Sequence, residues 1–213
     1  MKQLTLILGV LFIIGCKDSP KIKQGPIDKV VNESVNTNDN AGILKNNDSL
    51  LVEKGKMYAQ STQKVLGRNL LLNIQNNGVL GAVAFCNEKA YPLTDSMAIV
   101  HHAKIKRVSD KPRNTNNQAN KKELEYIESF KSKIKNNESY EPILTTENGN
   151  TQFYLPIVTN TMCLNCHGVP EKNIDPKVTH LLQEKYPNDK AIGYKENEVR
   201  GIWSISFNNE QNN

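Results

Sequence analysis

The chain has little of several residue types that usually define a site. It has one tryptophan, 4 cysteines and 4 histidines among 213 residues. Beyond residue 15 it has no apolar run of the roughly 20 residues that a membrane-spanning helix needs. Its formal net charge is +5, but positive and negative residues are interspersed rather than clustered in one stripe. We therefore expect neither a membrane-spanning protein nor a nucleic-acid-binding protein.

Most of the scarce cysteine and histidine falls in one short run, Cys163-Leu164-Asn165-Cys166-His167. A Cys-x-x-Cys-His run is typical of covalent haem attachment. Such a segment places two sulfurs at one edge of a porphyrin and an imidazole beneath its centre. The run predicts one haem c, bound by thioethers at Cys163 and Cys166 and ligated through its iron by His167.

Three other readings of the run stay open. A structural zinc site usually needs two separated ligand pairs, and the chain has no second cysteine pair. A thiol-redox motif expects a thioredoxin-like βαβ setting, which the pattern does not show. A structural disulfide between the two cysteines is the third.

The first 15 residues predict a signal peptide. Lys2 supplies a positive start, and residues 4–15 form an apolar stretch too short to span a bilayer. The stretch ends at Ile13-Ile14-Gly15-Cys16, which resembles the lipobox of bacterial lipoproteins and implies cleavage before Cys16 and its lipidation. The alternative is a plain secretory signal with an incidental cysteine. Either way the pattern predicts a cell-envelope protein, and the lipobox reading anchors it in a membrane, facing the periplasm or exterior.

The rest of the chain predicts one α+β domain with an antiparallel sheet. Residues 16–46 are rich in polar residues and predict a flexible tether, residues 47–207 form the folded domain, and 208–213 form a polar tail. The predicted elements are a helix from Leu50 to the Asn77-Gly78 stop, a helix 79–90 closed by Pro92, a long basic loop 100–118, a helix 120–135, a hairpin over 142–157 turning at 147–150, a helix 176–185 and a strand 201–207.

The other face of a haem iron bound by His167 needs its own ligand. Cys86 leads the candidates, because lipid and haem account for the other three cysteines and leave it unexplained. The competing interpretation is a small buried hydrophobic residue, which is what free cysteine usually is. The remaining candidates are Met57, Met97, Met162, His101, His102 and His180.

Four stretches resemble a known family. Residues 81–86, 107–114, 162–168 and 186–203 are similar to the PAS-like, c-type haem-binding family known from a cyanobacterial cytochrome, long catalogued as a domain of unknown function. The resemblance extends from about residue 55 to residue 207. It implies a PAS-like sheet packed with helices, and iron ligation by His167 and by Cys86 on a helix. Because an anionic thiolate favours Fe(III), such a pair predicts a low reduction potential.

The basic loop supplies candidates for the haem propionates, namely Arg107, Lys111 and Arg113. An ordinary solvated charge cluster is the equally weighted alternative.

Two functions fit a single tethered haem. The first is electron transfer in the cell envelope with an unidentified redox partner, which a flexible tether and two protein ligands favour. The second is a haem-based redox or gas sensor that signals through a separate partner protein. No acid–base pair or substrate pocket is recognisable, so we expect no catalytic residues and no enzyme activity.

Overall fold

The computed structural model describes residues 37–207, with side chains from residue 47. Its helices and strands lie in one compact unit, Asn38–Asn213, apart from the first residue of the first helix. The predicted signal peptide 1–15, the lipidation site Cys16, residues 16–36 of the predicted tether and the tail 208–213 lie outside the described residues. None of the described helices is both long and apolar enough to traverse a bilayer.

The first helix, α1 (Thr37–Val100), is two helical segments joined at Gly78. Gly78 has φ 67° and ψ −176°, a conformation that only glycine adopts without strain. The predicted stop at Asn77-Gly78 is thus confirmed as a break between segments 37–77 and 79–100. The first segment begins at Thr37, within the range 16–46 that was predicted as the tether. Adding a turn to an existing helix needs no new nucleus, so even polar residues can extend it.

The second segment of α1 does not end at Pro92, contrary to prediction, but continues to Val100. Proline removes one backbone donor from the helix interior. Nearby hydroxyl groups add hydrogen bonds to the helix carbonyls: Thr94 Oγ1 donates to Ala90 O at 2.7 Å, and Ser96 Oγ donates to Pro92 O at 2.8 Å. The packing of this segment on the sheet outweighs the single lost bond.

Four antiparallel strands form one sheet in the order β1-β4-β3-β2. Their bounds are β1 Ala103–Val108, β2 Ile143–Glu147, β3 Asn150–Val158 and β4 Val199–Phe207. The predicted hairpin is β2–β3, and its turn uses positive φ at Asn148 and Gly149. The predicted last strand is β4, two residues longer than expected.

The first strand corrects the predicted loop 100–118. Residues 103–108 pair with β4 from Ala103↔Phe207 to Val108↔Ile202. Lys104 and Lys106 point to solvent, while Ala103 and Ile105 are buried. Lysines on the open side are common on an edge strand because they discourage further pairing. Lys104 and Lys106 are also part of the basic cluster that led to the prediction of a loop here.

Helices cover both faces of the sheet. On one face Tyr58, Ala59 and Met97 of α1 pack against Ile205 and Phe207. On the other face α2 (Lys121–Lys135) packs Ile127 and Phe130 against Ile202 and Tyr154. The predicted helix 120–135 is therefore confirmed, with Asn120 as its N-cap in a capping box with Glu123.

The remaining helices follow β3. A short 3₁₀ turn (Thr161–Cys163) leads into the single turn α3 (Leu164–His167). The predicted helix 176–185 is confirmed as α4 (Pro176–Lys185), capped by Asp175. Val178 and Leu182 of α4 pack with Val83 of α1 in a third buried cluster. The segment 159–198 thus lies against the second segment of α1, which is the arrangement that forms the site. The architecture is α+β, as predicted; the PAS-like classification stays a prediction.

Candidate cofactor site

The run Cys163–His167 is held in a compact helical turn. Asn160 caps this turn, since its Oδ1 accepts from Cys163 N at 3.3 Å. The turn ends at Gly168, where an added Cβ would lie 2.7 Å from Leu164 O and 2.5 Å from Asn173 Cβ. Glycine is needed at this position because the backbone passes so close to its own preceding turn.

Cys86 reaches the same place from the other half of the chain. Val79, Val83 and Cys86 recur at helical spacing on the second segment of α1, so they share one face. Val83 packs in the cluster against which Cys166 is also packed. Cys86 and Cys166 are close enough for charge on Cys86 to raise the pKa of Cys166. The fold therefore brings together two thiols separated by 80 positions in the sequence, at residues 86 and 166.

The three described cysteines are free and half-buried. Burial raises the pKa of Cys166 to about 11, against an opposing effect of the Arg113 charge. Burial also raises the pKa of Cys86, and the charges of Arg107 and Arg113 oppose that rise. Both groups are neutral thiols at pH 7 while nothing is bound.

The imidazole of His167 is oriented by a backbone carbonyl. Its Nδ1 lies 2.8 Å from Ala191 O and 3.3 Å from Arg200 Nε. A carbonyl can only accept, so the shorter contact requires a proton on Nδ1, and Arg200 then acts there as a neighbouring charge rather than as a donor. The proton on Nδ1 leaves the lone pair on Nε2, which makes no hydrogen bond within residues 47–207. An imidazole held in this way is prepared to ligate a metal through Nε2.

Electrostatics keeps that imidazole neutral. Burial of the ring, together with the Arg113 and Arg200 guanidinium groups, holds the pKa of His167 well below its usual range, although the bond to Ala191 opposes the shift. A neutral ring with one free lone pair is the form of histidine that binds metals.

Arg113 ties the site together from within. Its Nε donates to Asp189 Oδ2 at 2.9 Å, and the pair is buried, with side chains 12% and 10% exposed. Its Nη2 donates to Cys166 O and, at 3.2 Å, to Ala191 O. Arg113 thus connects the Cys163–His167 turn to the loop that orients His167. These contacts give Arg113 a structural role as a clamp, and its predicted propionate role stays a prediction.

Lys111 is also occupied within the protein. Its Nζ donates to Ile192 O at 2.9 Å and lies 4.6 Å from the centre of the Tyr194 ring. Arg200 lies near the same ring and donates to Ser109 Oγ at 3.0 Å. These contacts fasten the loop 189–194 to the segment after β1.

Arg107 differs from the other two predicted cations. It makes one long hydrogen bond, 3.4 Å to Ala90 O, and no ion pair with a carboxylate of the described residues. Burial lowers the pKa of the Arg107 guanidinium, and ionisation of Cys86, Tyr91 or Tyr186 would oppose that shift. A half-buried guanidinium with so little compensation is available to an anion.

Most of the other predicted ligand candidates lie elsewhere. Met57, His101 and His102 line a separate cavity of about 220 Å³ with Tyr58 and Phe207. Met97 packs in the core between α1 and the sheet, and His180 is exposed on α4. Met162 directly precedes Cys163, the first residue of the Cys163–His167 turn. The fold favours Cys86 among the candidates by position.

Comparison with known proteins places the chain. The profile of the Tll0287-like family matches residues 31–208. The chain belongs to the Tll0287-like family. The family match begins earlier than the predicted domain boundary at residue 47. No curated protein matches the chain.

One solved structure shares this fold. The crystal structure of the cyanobacterial heme-protein Tll0287 superposes with a TM-score of 0.54 at 17% identity. The match covers 84% of this chain and 100% of that chain. At this identity the likeness shows a common fold for the two members of the Tll0287-like family.

Sequence reasoning did not assign a role to Asp189, Ala191 or Arg200, although they fall within a stretch that carried the family resemblance. Asp189 forms the buried ion pair with Arg113, and Ala191 orients His167 through its backbone carbonyl. Arg200 places a positive charge next to the His167 imidazole. The only sequence signal for them was that resemblance.

The residues present fit a covalently attached haem. The sulfurs of Cys86 and Cys166 make no hydrogen bonds within the described part of the chain, and Nε2 of His167 is equally free. In the same residues, no group of three or more histidine, cysteine or acidic side chains is arranged to hold a metal ion. Cys163 and Cys166 would form the thioethers, and His167 and Cys86 would ligate the iron.

Proposed function

We propose that this member of the Tll0287-like family is a monohaem c-type cytochrome of low potential, tethered to a membrane and transferring electrons in the cell envelope. The observation that carries the proposal is the proximity of Cys86 to Cys166, which directly precedes a histidine whose tautomer leaves Nε2 free. The related structure is that of a heme-protein, which supports the same cofactor. Bound haem would supply one-electron exchange between Fe(III) and Fe(II).

The chain's own residues set the properties of such a site. Ala191 O accepts from Nδ1, which fixes the imidazole ring and increases its donor strength. Cys86 would bind as the thiolate, giving up its proton on ligation, and its negative charge favours the ferric state. Arg107 and Arg113 moderate that effect because both carry positive charge near Cys86. The balance still predicts a potential below that of a histidine–methionine cytochrome.

Further parts of the proposal rest on the sequence. Lipidation at Cys16 would hold the domain at a membrane, facing the periplasm or exterior. The partner would be a redox protein, and we propose no catalytic residue and no enzyme activity. A PAS-like classification of the sheet and its helices also belongs to the proposal.

The test is expression with a c-type maturation system, followed by mass spectrometry and a redox titration. We expect the mass of one haem on the wild-type chain, and its loss when Cys163 and Cys166 are both changed to alanine. Cys86→Met and Cys86→Ala should retain the haem but change the absorption spectrum and raise the midpoint potential. A wild-type chain without the added mass of haem would contradict the proposed cofactor. An unchanged absorption spectrum and midpoint potential in both Cys86 variants would show that Cys86 is not an iron ligand.

A haem-based sensor is the second candidate, and the position of Cys86 favours it. Cys86 lies on the second segment of α1, one long element that also carries the Gly78 break. If a gas ligand displaced Cys86 from the iron, the second segment of α1 would be released from the Cys163–His167 turn. Absorption spectra with and without CO distinguish the two: ready displacement supports sensing, and unchanged coordination in the reduced protein supports electron transfer.

A further inference from the structure

The single tryptophan of the chain has an unexplained donor. Trp203 lies on β4 and is 2% exposed, yet its indole Nε1 has no hydrogen-bond partner within the described residues. A buried N–H without an acceptor is uncommon in native proteins and costs free energy. Packing of the indole ring in the core does not by itself account for this unpaired donor.

The sheet register places Trp203 beside Arg107. The two residues are directly opposite on the antiparallel pair β1–β4. Opposite residues point to the same face, with their Cβ atoms roughly 5 Å apart. This is the face covered by α1, the helix that carries Cys86.

Arg107 adds an uncompensated charge to the orphaned donor. Its one hydrogen bond is the 3.4 Å contact with Ala90 O, one helical turn beyond Cys86. Its charge acts on both Cys86 and His167. Arg113 and Lys111 already have protein acceptors, so Arg107 is the predicted propionate partner that remains available.

An anion with two oxygens satisfies both groups. A guanidinium and an indole N–H side by side can donate to one carboxylate, and charge-assisted bonds of this type are strong. We propose that Trp203 Nε1 and Arg107 together bind one haem propionate, which makes Trp203 a cofactor-binding residue. This inference rests on the proposed haem c function and adds a residue to its site.

The first test uses the wild-type protein. Because the chain has one tryptophan, its indole N–H resonance is assigned without mutagenesis. In the reduced, haem-bearing protein we expect a single indole proton shifted downfield and protected from exchange. An indole proton that exchanges rapidly and resonates at the position of a free N–H overturns the proposal.

The second test is resonance Raman spectroscopy of the purified haem-bearing variants. Trp203→Phe keeps the aromatic ring but removes the donor, and should shift one propionate bending band and lower the midpoint potential, because the propionate charge is then less compensated. Arg107→Gln should shift the same band further, and Arg107→Lys should restore part of the shift. Phe153→Leu, which alters packing on the same face without removing a donor, should leave the band in place.

The outcomes separate this inference from the function on which it rests. A wild-type chain that carries no haem overturns the proposed function and with it the inference. A haem-bearing chain whose propionate bands are the same in Trp203→Phe overturns the inference alone. An Arg107→Gln variant that changes only the iron–sulfur band also overturns it, because Arg107 would then serve the Cys86 ligand. If Trp203→Phe does not fold, the Arg107 variants and the indole resonance decide the question.

Discussion

The two sides of the sheet treat their buried polar groups in opposite ways. Under α2, Glu123 Oε1 accepts from Ser204 Oγ at 2.9 Å, and Oε2 accepts from Asn120 N at 2.9 Å. Around Cys86, Cys166 and His167, the sulfurs and Nε2 have no hydrogen-bond partner in residues 47–207. Both oxygens of the buried Glu123 carboxylate are thus satisfied within the protein, whereas the sulfurs of Cys86 and Cys166 and Nε2 of His167 remain free to bind a further group. The difference separates the scaffold from the site more sharply than composition does.

The largest expected effect tests the scaffold side. Phe130 is fully buried between α2 and the sheet. Phe130→Ala should lower the free energy of unfolding by about 3–5 kcal/mol, because it leaves a cavity in that core. The absorption spectrum of the haem-bearing protein should not change. Urea unfolding measures the loss, with the exposed Ser129→Ala on the same helix as the control. A large spectral change would show that the two regions are not independent.

The second-largest effect concerns the buried Arg113–Asp189 ion pair and should appear in both the stability and the absorption spectrum. Asp189→Asn removes the counter-charge of the buried Arg113, which should cost about 3 kcal/mol of stability. It also loosens the loop whose carbonyl orients His167, so we expect a shifted absorption spectrum. Arg113→Lys keeps the charge and should show a smaller version of both changes. If stability falls while the spectrum is unchanged, the clamp does not position His167.

A third change probes the backbone beneath the site. Gly168→Ala would bring Cβ to 2.7 Å from a fixed carbonyl, and we expect a loss of about 1–3 kcal/mol with incomplete haem attachment. Gly67→Ala is the matched control, since nothing lies within 4 Å of its added Cβ. That control sits inside a helix, so it should raise stability slightly, by up to ~1 kcal/mol. Equal behaviour of the two variants would contradict the close-approach argument.

The smallest effect lies away from both regions. Burial lowers the pKa of His101, whose ring stacks on Tyr58 and hydrogen-bonds with Ser61 Oγ at 2.7 Å. The unfolded chain then binds this proton more readily, so stability is full above the unfolded pKa of about 6.5 and falls as pH drops below it. His101→Gln should therefore flatten the stability profile between pH 7 and 5. His180→Gln, which changes an exposed histidine, should leave the profile as it is.

The fold was predictable where the signal was local. The Asn148-Gly149 hairpin and the apolar spacing of α2 and α4 needed no distant contacts. Two errors came from local rules that tertiary packing overrode. Pro92 did not end its helix, and the alternation of Ala103–Val108 was hidden by two lysines that suit an edge strand.

The site also contains residues that the local sequence predicts and residues that it does not. Cys163, Cys166 and His167 are contiguous, so their chemistry is readable from their spacing. Cys86 could be singled out only by elimination and by family resemblance, because its neighbours come from helices distant in sequence. The Ala191 carbonyl that orients His167 belongs to the backbone, and no side-chain pattern records it. The unpaired indole of Trp203 is equally invisible until the register with β1 is known.

The position of β4 has a consequence for how the polypeptide is made. It is the last strand of the described chain, yet it lies inside the sheet, between β1 and β3. Synthesis runs from the amino end, so β1 and β3 remain unjoined until residues 199–207 emerge. Cys163–His167 appears before then, while the sheet is still open. Under the proposed haem c function, the order of emergence would leave an interval before closure of the sheet in which an attachment enzyme would reach both thiols on an unfinished chain.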